Sequence, residues 1–148
     1  MYINGIQQYR KTKVITADPG KLVIMCYEGA IDNLKLAKQH YTQKNYEGKA
    51  KALQKAMEII NELMCSLDFE KGGSVARNLK SLYLYMTRRL LQADLNKNID
   101  GIEEVIGMLS ELLGAWEDVF AKQGKKIAAG IPAYYDSPQA QSANFMRT

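Results

Sequence analysis

Between Lys21 and Ile131 the chain contains no proline; the three it has are Pro19, Pro132 and Pro138. A proline inside a helix removes a hydrogen bond and clashes with the preceding turn, so more than a hundred uninterrupted residues leave long helices open. Four segments within this window place apolar residues alternately three and four apart, the spacing of one helix face rather than of a strand. The first stripe is Val23, Tyr27, Ala30, Leu34, Ala37 and Tyr41. The second runs Tyr46, Ala50, Leu53, Met57, Ile60, Met64 and Leu67. The third holds Val75, Leu79, Leu82, Met86, Leu90 and Ala93; the fourth holds Ile102, Val105, Leu109, Leu112, Trp116 and Val119. The fold class that follows is all-α, an antiparallel up-down four-helix bundle over residues 18–124.

Punctuation between the segments supports that reading. Asp18 and Pro19 suit a helix cap and first helical position, and Asn45 suits the start of the second helix. Gly72 and Gly73 offer the positive φ that ends a helix, with Ser74 capping the next. The turn from Asn96 to Asp100 provides Asn98 or Asp100 as the last cap. Loops this short make successive helices antiparallel neighbours. Residues 1–17 carry a short apolar set, Ile3, Ile6 and Tyr9, too brief to be helical without docking on something. From Lys125 the composition shifts to Ala, Gly, Pro, Ser and Gln without a period, which reads as a disordered tail over 125–148.

Composition limits the chemistry. At 148 residues there is room for one domain. No segment approaches the roughly 20 apolar residues needed to cross a bilayer, and residues 1–13 lack the apolar centre of a signal peptide. A cytoplasmic protein is the expectation. Cys26 and Cys65 lie beside apolar neighbours and read as free, buried thiols. The net charge of +4 is spread over the polar faces, without the basic concentration of a nucleic-acid binder. A di-metal bundle site needs two Glu-x-x-His pairs, and the chain has one histidine, His40. Glu58, Glu62, Glu103 and Glu104 fall off the apolar stripes and read as solvated. The same shortage of imidazole removes serine and cysteine triads, and the glycine pair lacks phosphate-loop spacing. No catalytic residue, metal or cofactor is expected.

Other features suit binding. Leu22 to Tyr27 and Leu82 to Met86 are consecutively apolar, more than a narrow seam can hide. Either the bundle buries them by irregular packing, or a partner covers them. Nine tyrosines and seven methionines suit adaptable half-buried contacts, although core packing also uses such residues. A groove of this kind receives an amphipathic helix.

Three strings make a more specific case. Thr16 to Ile31, TADPGKLVIMCYEGAI, resembles the TASP-x-KLI-x-MLYDGAI start of the flagellar secretion chaperone FliS family. Ser66 to Asp94, SLDFEKGGSVARNLKSLYLYMTRRLLQAD, is similar to that family's LDFEKGGEIA-x-NL-x-x-LYDYM-x-RRL-x-xAN. Gly107 to Trp116, GMLSELLGAW, resembles GLL-x-EL-x-x-AW, and Gly5, Ile6 and Tyr9 match the opening GI-x-x-Y. The resemblance implies a cytosolic, non-enzymatic chaperone that binds the C-terminal segment of flagellin, wrapped helically around the bundle. It also implies prevention of early polymerisation and delivery to an export-gate membrane protein of the flagellar type III apparatus. The alternative is a helical adaptor or regulator for another flagellar protein, such as an anti-sigma factor or translation regulator.

Carried over by position, Ile6 and Tyr9 belong to an N-terminal flank expected to cover part of the groove when flagellin is absent. Leu22, Met25, Asn78, Leu82 and Tyr85 are the expected groove contacts. Of Arg88 and Arg89, one is expected to pair with a carboxylate and the other to meet the ligand. The chain departs from the pattern at Leu84, where the family has Asp, at Ser74 for Glu, and at Glu28 for Asp. Leu84 adds apolar surface of the kind used in self-association.

Overall fold

A computed structural model describes residues 19–128, so the expectations for Ile6, Tyr9, the Asp18 cap and the tail beyond Ala128 lie outside the described residues. Four helices follow one another: α1 Pro19–Thr42, α2 Tyr46–Cys65, α3 Phe69–Asn96 and α4 Asp100–Ala128. No strand occurs among the described residues. Helix α4 carries its backbone to Ala128, past the Lys125 boundary expected for the tail. Each helix packs on the next and α4 returns to α1, with the most extensive contact between α1 and α2. Gly20 at the start of α1 meets the Phe120 ring near the end of α4, as an antiparallel pair requires. The all-α four-helix bundle is therefore the architecture.

The helix ends show how the sequence cuts the chain. The Asn45 side chain accepts from the Gly48 amide at 3.0 Å, satisfying an orphan donor of α2 as expected. Asn98 accepts from the Asp100 amide at 2.9 Å ahead of α4. The third cap differs from expectation. Asp68, not Ser74, caps α3, accepting from the amides of Glu70 and Lys71 at 3.1 Å. The glycine pair supplies the positive φ expected of it, so the helical run that Asp68 caps is interrupted at Gly73 before it continues to Asn96. Gly73 stays inside as a kink at φ 50 and ψ −124, a conformation open only to glycine. Lys97 ends α3 in the left-handed region, and its carbonyl accepts a hydrogen bond from the Tyr41 hydroxyl at 2.6 Å.

Two stripes need their register corrected. In α2 the buried face is Lys49, Ala52, Leu53, Ala56, Ile60 and Leu63, whereas Tyr46 and Ala50 are exposed. In α3 the buried face is Ala76, Leu79, Tyr83, Met86, Leu90 and Ala93, leaving Val75 exposed and Leu82 half-buried. Small alanines let α1 and α2 approach closely, which turns the seam toward Ala52 and Ala56 rather than Met57. The α1 stripe holds apart from its half-buried end at Tyr41, and in α4 Ile102, Val105, Leu109 and Trp116 are buried with Leu112 and Val119 half-buried. At the centre the hydroxyls of Tyr27 and Tyr83 hydrogen-bond to each other, joining the diagonal helices α1 and α3. The thiols also need correction: Cys65, at the last residue of α2, is exposed, and Cys26 is half-buried; neither forms a disulfide.

Candidate protein-binding surface

The residues expected at a groove fall into separate places. Asn78, Leu82, Tyr85 and Arg89 are spaced i, i+4, i+7 and i+11, which puts them on one stripe of α3. That stripe borders α4. Tyr85 donates its hydroxyl proton to Glu104 Oε2 at 2.5 Å, and Arg89 Nε donates to Glu104 Oε1 at 2.6 Å. Of the two arginines, Arg89 is thus the one paired with a carboxylate. Arg88 lies exposed on the outer side, its guanidinium 5.6 Å from the Tyr85 ring centroid.

Leu22 and Met25 occupy another surface. They share an α1 stripe with Gly29 (i, i+3, i+7), and a β-carbon at Gly29 would meet Ile59 of α2 at 3.5 Å. Both side chains are half-buried beside the α1–α2 seam. The structure brings Asn78, Leu82, Tyr85 and Arg89 together, and it keeps Leu22 and Met25 apart from them.

Glu104 continues along α4 through Met108, Leu112, Ala115 and Val119, spaced to line the α3-facing side of that helix. Met108, Leu112 and Val119 are half-buried, as are Leu82 and Tyr85 opposite; Val75 and Ala115 are exposed. The seam between α3 and α4 is therefore edged by half-buried apolar side chains, of which Leu82, Met108 and Leu112 pack against the core. Asn78 lies exposed along it and the Tyr85–Glu104–Arg89 set closes one end. Sequence reasoning missed Met108 and the tether made by Glu104, which is exposed as expected but holds two partners on α3. A signal existed: an antiparallel turn centred near Lys97 makes positions 85–89 neighbours of 104.

The electrostatics of that end are local. Glu104 is held below the usual carboxylate range by the hydrogen bonds from Tyr85 and then Arg89. The same bonds push the Tyr85 hydroxyl up and hold the Arg89 guanidinium more firmly protonated. At neutral pH the set is an anion accepting from two donors, which fixes the Tyr85 ring beside the seam. Among the described residues no cluster of His, Cys, Asp and Glu is arranged to hold a metal ion. Nor is any described helix long and apolar enough to cross a membrane.

Comparison with known proteins gives a family and several named relatives. A family profile described as "Flagellar protein FliS" matches residues 2–135. The chain is 42% identical over 124 residues to the flagellar secretion chaperone FliS of Salmonella typhimurium, covering 80% of this chain and 92% of that protein. It is 34% identical to the Vibrio cholerae chaperone of the same name over 131 residues (86% and 96% of the two chains). With the Bacillus subtilis chaperone the identity is 31% over 122 residues (82% and 90%).

Proposed function

Because this chain belongs to the FliS family of flagellar secretion chaperones, and so is an export chaperone rather than an enzyme, we propose that its cargo is flagellin, held by its C-terminal segment. The observation that supports this reading is the α3–α4 seam, edged by the half-buried Leu82, Tyr85, Met108 and Leu112. A segment that later makes filament contacts is apolar on one face and aggregates if left bare; laying that face along such a seam masks it. Ordering the segment costs free energy, which offsets part of the burial and keeps release available. The task is cytoplasmic. It ends with delivery to an export-gate membrane protein of the flagellar type III apparatus.

A segment of roughly 40 residues spans about 60 Å as helix, far more than one seam can seat. Wrapped around the bundle, it reaches both the α3–α4 seam and the Leu22–Met25 strip. The expected result is that Tyr85→Ala and Met25→Ser each weaken flagellin binding about tenfold, while melting stays close to wild type. Neither side chain belongs to the buried cluster. The effects should add, because the two sites lie on different seams. A loss from only one variant would confine the cargo to one seam. Unchanged binding in both would remove these surfaces from the site.

A further inference from the structure

Helix α3 carries a surface that its seam with α4 does not use. Lys80, Leu84, Arg88, Leu91 and Leu95 follow one another at helical intervals of three or four, and Arg77 precedes them. At 3.6 residues per turn these six side chains fall within an arc of about 80° on the side of α3 away from α4. All six are exposed, and no carboxylate lies among them. The leucines are 46%, 48% and 81% exposed, so they stand out from the helix instead of packing on a neighbour.

The adjoining edge of α2 continues this surface without charge. The Lys97 ammonium at the end of α3 lies 5.0 Å from the Tyr46 ring centroid, and Lys49 pairs with Asp94 of α3, so Tyr46 faces that side. From Tyr46 the edge runs through Ala50, Met57 and Met64, part of the second apolar stripe of the sequence, with Tyr46 and Ala50 exposed and both methionines half-buried. At the other end the Lys80 ammonium lies 5.7 Å from the ring centroid of Phe69, a second exposed aromatic. Among the described residues, five of the seven exposed large apolar side chains therefore gather on the α2–α3 side, more than scattered single residues present. The acids collect elsewhere: from Asp100 to Ala121, α4 has six carboxylates and no cation.

We propose that this α2–α3 face docks reversibly on a bilayer containing anionic phospholipid. The occupant is argued from charge and from shape. Cations alternating with protruding leucines are the pattern of an interfacial helix: the leucines enter the headgroup boundary while Lys and Arg extend to the phosphates. A rigid partner would need a hollow for each leucine and an acid for each cation. A bilayer supplies both at once, because its apolar layer deforms around side chains that stand at different heights and its surface is uniformly negative. Tyr46 and Phe69, at the two ends of the face, have rings suited to the same interfacial depth. The carboxylates of α4 are repelled by that surface, which turns α4 away and fixes the orientation. The α3–α4 seam and the Leu22–Met25 strip take no part.

Flotation of the full chain with lipid vesicles tests this. The protein should float with phosphatidylcholine vesicles containing about 30% phosphatidylglycerol and stay behind with phosphatidylcholine alone. Salt at about 0.5 M should release most of it. Leu84→Ser/Leu91→Ser should lower the partition coefficient at least about tenfold with helicity unchanged, since both side chains are exposed. Lys80→Glu/Arg88→Glu should lower it by at least as much. Lys35→Glu/Lys122→Glu, the same charge change on α1 and α4, should lower it less than about threefold. No binding to the anionic vesicles would overturn the proposal. So would binding indifferent to the leucine change, which would leave the leucines to a protein partner or a second copy. Equal losses from the two charge variants would overturn it too, as attraction without a defined face. Flagellin is absent throughout, so failure here leaves the chaperone reading standing.

Discussion

Raising the pH above about 10 should unfold this bundle far more readily than its exposed groups would require. Tyr27 and Tyr83 are both fully buried, with their rings 6.5 Å apart and their hydroxyls hydrogen-bonded to each other. Burial pushes the Tyr27 hydroxyl up to about 12; Tyr83 is driven up too, first by burial and then by the charge Tyr27 would carry. An unfolded tyrosine releases its proton near 10. Between that pH and the folded values the unfolded chain binds fewer protons, so stability falls as pH rises. It is fully present below 10 and is lost at roughly 1.4 kcal/mol per pH unit for each tyrosine that keeps its proton.

The variant that checks this is Tyr27→Phe/Tyr83→Phe. Denaturant melts at several pH values should show the alkaline slope much reduced in the double variant, with stability at pH 7 close to wild type. Tyr83→Phe alone should cost about 1–3 kcal/mol at neutral pH, because Tyr27 keeps its burial and loses that partner. Equal alkaline slopes in wild type and double variant would contradict the account.

The second large effect concerns Lys49, a lysine only 3% exposed on the core face of α2. Its ammonium lies 3.2 Å from the Asp94 carboxylate, 3.5 Å from the Asp94 carbonyl, and 5.8 Å from the ring centroids of Tyr41 and Tyr46. Breaking a buried pair by removing one partner is costly because the other charge stays buried, whereas an apolar replacement of the charge itself is often tolerated. Asp94 is itself partly exposed, so water already screens part of the attraction that is lost. Asp94→Ala should therefore cost about 2–3 kcal/mol, below the range for a fully buried pair. Lys49→Met should cost about 1 kcal/mol or less, and the double variant should resemble Lys49→Met. Thermal melts of the three would decide it. If Lys49→Met were as damaging as Asp94→Ala, the lysine would stabilise the fold by its charge rather than burden it.

These two features also mark where sequence reasoning reached its limit. The helices, the Asn45 cap and most of the α1 and α4 stripes follow from local spacing, which a linear chain displays. The α2 register does not, since Lys49 joins the core only because Asp94 and Tyr41, from other helices, arrive around it. The glycine pair reads as a break and Gly73 is one, while the extra cap at Asp68, which starts a helical turn ahead of it, was not foreseen. Asn78, Leu82, Tyr85 and Arg89 were legible as one stripe through their spacing. The two partners of Glu104 were not legible, because they belong to α3. Leu22 and Met25 share motifs with no information about which seam their helix turns outward, and only the packing of Gly29 on Ile59 places them.

The central claim is that the bundle holds the C-terminal segment of flagellin. Calorimetric titration of the full chain with its cognate flagellin, intact and lacking the last forty or so residues, tests it most directly. Tight one-to-one binding to intact flagellin, absent with the truncated form and accompanied by a negative heat-capacity change, is the predicted result. No binding to intact flagellin, or equal binding to both forms, would contradict it.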